Sequence, residues 1–169
     1  MTEVGQLEAI DRLHNLFGRH EIDYWLFGGW AVDFHAQRIT RTHADIDMAV
    51  WKDDLDRVDM VLNRAGWKRG TQLGEDGYTE YANGSIRLDL AFLARDQMNV
   101  VYTPLADGRG HWPRGAFGND VIELEGVSAH IVALSSLIED KSEPHGDDPT
   151  TAMRDQADVA VLIHLPSDE

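Results

Sequence analysis

The chain has 169 residues, 43% of them hydrophobic, which is enough for one core and too few for two full domains. Thirty acidic residues against 15 basic ones leave a formal charge of -15, which argues against nucleic acid as a partner, since binders of long polyanions carry a basic stripe. No apolar run approaches the roughly 18 residues that span a bilayer, and the early acids of MTEVGQLEAIDRLHNLF do not read as a secretory leader. The lack of cysteine removes disulfides and thiolate metal sites, in keeping with a cytoplasmic setting. The acidity itself has two readings: solubility alone, or a cleft that attracts metal ions and cationic small molecules.

In chain order, residues 4–19 read as an amphipathic helix with Leu7, Ile10, Leu13 and Phe17 at helical spacing. Residues 24–27 form a short apolar strand ended by Gly28-Gly29, and a helix over 30–36 follows. After a polar stretch at 37–44, residues 45–51 alternate like a strand. Asp53 or Asp54 is placed to cap a helix running to Ala65 and stopped at Gly66. Strands at 78–82 and 85–93 flank Asn83-Gly84, a strong hairpin signal. Further short strands fall within 98–103 and 119–131, around a loop at 107–118 rich in Gly, Pro and Trp. A helix covers 134–141, residues 144–149 are a loop, and Asp148-Pro149 opens a last helix reaching about Leu165. These elements predict an α+β architecture, a small mixed sheet flanked by helices with a short helical C-terminus. They divide into a catalytic unit over 1–131 and a helical segment over 132–169 packed on it.

Asp45 and Asp47 stand two apart in a strand, so both project from one face, about 7 Å apart at Cα. Ile46, Met48 and Val50 point the other way, into a core. A lone D-x-D pair also suits a solvated edge strand, but Asp89 adds to it: in Ile86-Arg87-Leu88-Asp89-Leu90-Ala91-Phe92 the apolar set takes one face and the acid the other. If the two strands are neighbours, three carboxylates converge to bind a divalent cation and to take a proton from an attacking hydroxyl. Gly28-Gly29, between strand and helix, lets backbone N–H groups approach a phosphate at a helix N-terminus, though such a pair also serves as a plain turn. The eight histidines show no H-x-x-x-H spacing, which speaks against zinc. Trp25, Trp51 and Trp67 suit core or sheet-flank positions.

The run Gly28-Gly29-Trp30-Ala31-Val32-Asp33, followed by Arg38-Ile39-Thr40-Arg41-Thr42-His43-Ala44-Asp45-Ile46-Asp47, resembles the DNA polymerase β-like nucleotidyltransferase superfamily. It looks most like the small antibiotic-modifying branch, the aminoglycoside 2''-O-adenylyltransferases and short lincosamide nucleotidyltransferases. The similarity is strongest over 24–51. The resemblance implies a nucleotidyltransferase fold, two Mg²⁺ ions held by Asp45, Asp47 and Asp89, and ATP or another NTP as donor. It also implies that Asp89 is the catalytic base, and that Gly28, Gly29, Arg41, His43 and Lys141 meet the nucleotide. Lys141 equally suits a solvated cation ending a helix. Trp30 departs from the Gly-Ser of polymerase-type members, so the cradle lacks a serine hydroxyl. Arg154, Asp155 and Asp158 match a cluster on the family's last helix, and an exposed Arg154–Asp158 pair explains it as well.

The function implied is Mg²⁺-dependent transfer of a nucleoside monophosphate, AMP foremost, to a hydroxyl of a small antibiotic-like acceptor, an aminoglycoside foremost, conferring resistance. Alternatives are a lincosamide acceptor, a toxin–antitoxin or regulatory transferase acting on protein or RNA, and a catalytically silent module. Asp33 and Trp112 are candidates for the acceptor side, against readings as a helix-surface charge and a loop aromatic. Only about 38 residues follow Ile131, so one wall of the acceptor cleft is short. A C2 homodimer meeting through the 107–118 loop would supply it; the alternative is an open monomer.

Overall fold

The computed structural model describes residues 3–70, 77–143 and 148–165. Helix α1 (Glu3–Arg19) buries Ile10, Leu13 and Phe17 completely and Leu7 almost so, along the stripe their spacing predicts. Strand β1 (Tyr24–Phe27) runs directly into α2 (Gly28–Ala36). The helix thus starts two residues ahead of the expected Trp30, because Gly28 turns the corner at φ +69°. Strand β2 (Ile46–Trp51) leads through a 3₁₀ turn (Lys52–Asp54) into α3 (Leu55–Arg64). Asp54 occupies the expected cap position of α3 without capping it; its carboxylate pairs with Arg57 at 3.1 Å instead.

Three strands follow: β3 (Lys68–Arg69), β4 (Tyr78–Asn83) and β5 (Ile86–Arg95). The hairpin is present with its turn one residue later than expected. Asn83 still pairs with Ile86, and Gly84, at φ +61°, opens the Gly84-Ser85 loop. Strands β6 (Val101–Leu105) and β7 (Gly108–His111) pair next. The second lies inside the expected loop; it is an exposed edge with no buried face, and so carries no alternation to read. A separate hairpin of β8 (Val121–Leu124) and β9 (Val127–His130) precedes α4 (Leu134–Ser142) and α5 (Pro149–Ile163). Asp148 caps α5 as expected, accepting from the Thr150 amide at 3.0 Å ahead of Pro149. Of the loop expected at 144–149, residues 144–147 lie outside the described residues.

The main sheet runs β1-β2-β5-β4-β3, with β6 and β7 extending from the far end of β5. Its spine is β5, parallel to β2 on one side and antiparallel to β4 on the other. The C-terminal segment joins at the sheet edge, where the Val132 amide donates to the Leu26 carbonyl (3.1 Å). Leu137 of α4 and Leu162 of α5 belong to the same core as Leu26, Trp30 and Phe34. No helix among the described residues is long and apolar enough to cross a membrane.

Leu88 is wholly buried on β5, one residue before an acid of interest. Leu88→Ala is expected to lower the unfolding free energy in urea by roughly 2–5 kcal/mol.

Candidate active site

Parallel pairing of β2 with β5 sets Asp47 directly beside Asp89. Asp45, just ahead of β2, completes the group, and one oxygen from each of the three lies within 4.8 Å of the others. Among the described residues this is the one cluster with such spacing. Ile46, Met48 and Val50 are fully buried on the opposite face, so the strand cannot slip by one residue without exposing them. Burial pushes the Asp47 carboxyl up to about 8, helped by the charges of Asp45 and Asp89 and resisted by Lys141 and Arg41. Burial likewise lifts Asp89 to about 7, with a hydrogen bond and the charge of Asp45 adding to it and Arg87 opposing. An all-oxygen set of crowded, half-desolvated carboxylates suits a hard divalent cation such as Mg²⁺.

Across from the acids, α2 begins with no side chain capping its first turn, which leaves amide donors for an anion. Both glycines there are sterically required. A Cβ on Gly28 would run into the Asp47 carboxylate, and one on Gly29 into His43 Nδ1 and Arg41, whose Nη2 would be 2.6 Å away. The glycine pair thus lets Asp47 on one side and the basic residues on the other close onto the turn.

Arg41 forks onto Asp158 of α5, Nε to Oδ1 and Nη2 to Oδ2, both 3.1 Å. Its Nη1 donates to the Thr42 carbonyl (3.2 Å) and to His43 Nδ1 (3.1 Å). A guanidinium cannot accept, so His43 carries its proton on Nε2 and donates it to Asp33 Oδ2 at 2.6 Å. Lys141, buried at the end of α4, reaches the same Asp158 (2.8 Å) and Asp155 (3.4 Å). Burial pushes the Asp158 carboxyl up, but hydrogen bonds and charge from Arg41 and Lys141 outweigh it and hold it below the ordinary value.

The structure brings Gly28, Gly29, Arg41 and His43 together with Asp45, Asp47 and Asp89. Asp33 is a correction: it is fully buried, its Oδ1 taken by the Thr40 amide and hydroxyl and its Oδ2 by His43, so it faces no acceptor. Of the two readings of Asp158, the exposed pair with Arg154 is not formed: its partners are Arg41 and Lys141, and Arg154 is exposed. Trp30, in place of serine, is a core residue that donates to Gln6 Oε1 (3.1 Å) and packs on the His43 ring 4.7 Å away. Trp112 is half-buried, donates to Thr103 (2.7 Å) and meets Phe27 edge-on at 5.2 Å. Together with Phe27, Val132, Leu137 and Asp140 it lines a narrow niche. Tyr78 was not singled out in the sequence; it is half-exposed at the start of β4, and its hydroxyl is pushed up by burial and by the charges of Asp140 and Asp47. Its signal was only that β4 pairs with the Asp89 strand.

A family model described as aminoglycoside-2''-adenylyltransferase matches residues 9–162. No curated protein matches the chain. Among solved structures the chain is similar to ANT(2'')-Ia in complex with adenylyl-2''-tobramycin, at 18% identity over 94% of this chain and 90% of that one, with a TM-score of 0.72. It is similar to the lincosamide antibiotic adenylyltransferase LnuA, lincomycin-bound, at 18% identity over 97% and 98%, also with a TM-score of 0.72. An antigenic nucleotidyltransferase-like protein from Paracoccidioides brasiliensis shares 13% identity over 96% and 77%, with a TM-score of 0.61. At these identities the likeness to solved structures speaks for the fold.

The raised carboxyls have a consequence for stability. Between an ordinary carboxylate value near 4 and about 7 to 8, the folded chain holds protons that the unfolded chain has released. Stability from these sites therefore declines as pH rises through that window and levels off above it. Metal-free protein should show a falling Tm over the window, Asp47→Asn should flatten much of the fall, and Mg²⁺ should restore Tm most at its alkaline end.

Proposed function

The chain belongs to the aminoglycoside-2''-adenylyltransferase family, and we propose that it transfers AMP from ATP to a hydroxyl of an aminoglycoside. The observation that carries this reading is the register setting Asp47 beside Asp89, opposite an uncapped glycine turn. Asp45, Asp47 and Asp89 would hold two Mg²⁺ ions, which when bound neutralise crowded carboxylates and phosphate charge. The Gly28-Gly29 turn receives phosphate oxygens on backbone amides, and Arg41 and Lys141 supply positive charge beside it. His43 serves by accepting from Arg41 and fixing its plane. Asp89 takes the proton of the acceptor hydroxyl. The oxygen then bonds to the α-phosphorus as the bond to the leaving pyrophosphate breaks.

On the acceptor side, Asp140, whose charge acts on Tyr78 beside the acid group, offers negative potential to a polyamine. The niche beside Trp112 offers an apolar wall. LnuA is as alike in fold as ANT(2'')-Ia, so lincosamides are the second acceptor class to test. A C2 homodimer meeting through the 107–118 loop, where Trp112 and Phe117 pack on each other, remains part of the reading, and light scattering with and without nucleotide tests it. A need for ATP and Mg²⁺ supports a cytoplasmic reaction, and the acidic composition supports small molecules over nucleic acid as partners.

Incubation with ATP, Mg²⁺ and a panel of aminoglycosides and lincosamides, read by mass spectrometry, should show one AMP added to an aminoglycoside. Label on protein or RNA alone would refute the reading. Asp45→Ala and Asp47→Ala should abolish turnover while stability holds or rises, since one of several crowded charges is gone. Asp89→Asn should slow transfer by about 10²–10⁴-fold with a smaller loss of nucleotide affinity. An equal collapse of Mg·ATP binding would instead make Asp89 chiefly a metal ligand.

A further inference from the structure

Helix α5 reaches the site through one buried side chain. Asp158 is 2% exposed and bridges two cations from different parts of the chain, Arg41 before β2 and Lys141 at the end of α4. Of the five N–H donors of Arg41, four are committed, two to Asp158, one to the Thr42 carbonyl and one to His43. The one left belongs to Nη2, the atom packed against Gly29. Two of the three donors of Lys141 are taken by Asp158 and Asp155. Each cation is thus held by α5 with one donor spare.

Both cations also lie within the field of Asp47, whose charge they stabilise. The attraction between them and the metal carboxylates has to be opposed, because a lysine or arginine paired to Asp47 would displace the metal and abandon the phosphate turn. Asp158 is the anion on the far side that opposes it. We propose that Asp158 is a positioning residue for the donor nucleotide, keeping Arg41 and Lys141 beside the glycine turn and off the catalytic carboxylates. The inference rests on reading those two cations as triphosphate contacts.

Two effects compete when Asp158 is neutralised. One negative charge fewer raises the local potential and favours a polyphosphate. Against this, two long side chains regain their rotamers, and Asp47, whose charge both already meet, is left to draw them. The second effect is the larger, because it removes donors from the phosphate and a ligand from the metal together.

The test is calorimetry of the full chain with Mg²⁺ and α,β-methylene-ATP, whose bridging carbon blocks the bond that transfer would break. Asp158→Asn is expected to weaken binding by roughly 10- to 100-fold and to raise the Mg²⁺ concentration needed for half-saturation. Asp158→Glu retains the charge on a longer arm and should weaken binding by a smaller factor; it carries the test if the Asn variant does not fold. A merely structural role would lower Tm and the binding stoichiometry while leaving the affinity of the folded fraction unchanged. Unchanged or tighter binding in the folded variant, with Lys141→Ala clearly weakened, overturns the proposal. Unchanged binding in Lys141→Ala overturns instead the reading of that lysine as a phosphate contact, and the proposal with it.

Discussion

Asp47 and Asp89 are neighbours in a parallel strand pair, and the repulsion between them, sharpened by Asp45, is the constraint around which the site is arranged. Two hydrophobic faces lock that register: Ile46, Met48 and Val50 on β2, and Leu88 and Leu90 on β5, are all fully buried. The acids cannot separate unless those side chains leave the core. Packing therefore outweighs electrostatics here, and the folded chain meets the unfavourable charge by retaining protons.

A second layer of charge surrounds the first. Arg41 and Lys141 oppose the acids from one side, and Asp158 and Asp155 oppose Arg41 and Lys141 in turn. Behind them Asp33 orients His43, and Gln6 of α1 links the Trp30 indole to the His43 carbonyl. No buried side-chain nitrogen or oxygen among the described residues lacks a hydrogen-bond partner, as expected of a network that fixes geometry. Residues of α1, α2, α4 and α5 meet in it, so the short C-terminal helices are tied to Arg41 and its neighbours as well as to the sheet.

The sequence made the acids and the glycine turn legible because each is a local pattern. Alternation around Asp45, Asp47 and Asp89 sorts polar from apolar faces, and Gly28-Gly29 marks the corner before a helix. Asp33 was opaque for a physical reason: α2 is buried at every position from Trp30 to Phe34, so no polar stripe exists from which to read that residue's surroundings. Asp158 stayed open because an i,i+4 neighbour supplied a sufficient local partner, whereas one of its actual partners, Arg41, is 117 residues away in sequence. The short β3 and the exposed β7 bury too little to imprint a period.

The strand order also bears on how the molecule assembles. β4 and β5 are joined by a two-residue loop and can zip up locally, whereas β2 docks on β5 only after closing a loop of about forty residues, a slower event. The three acids therefore come together late on the folding route, and a cation would have no formed site to grip before then. Mg²⁺ would consequently act as a brake on unfolding more than as an accelerator of folding, protecting the finished enzyme kinetically without guiding its nascent chain.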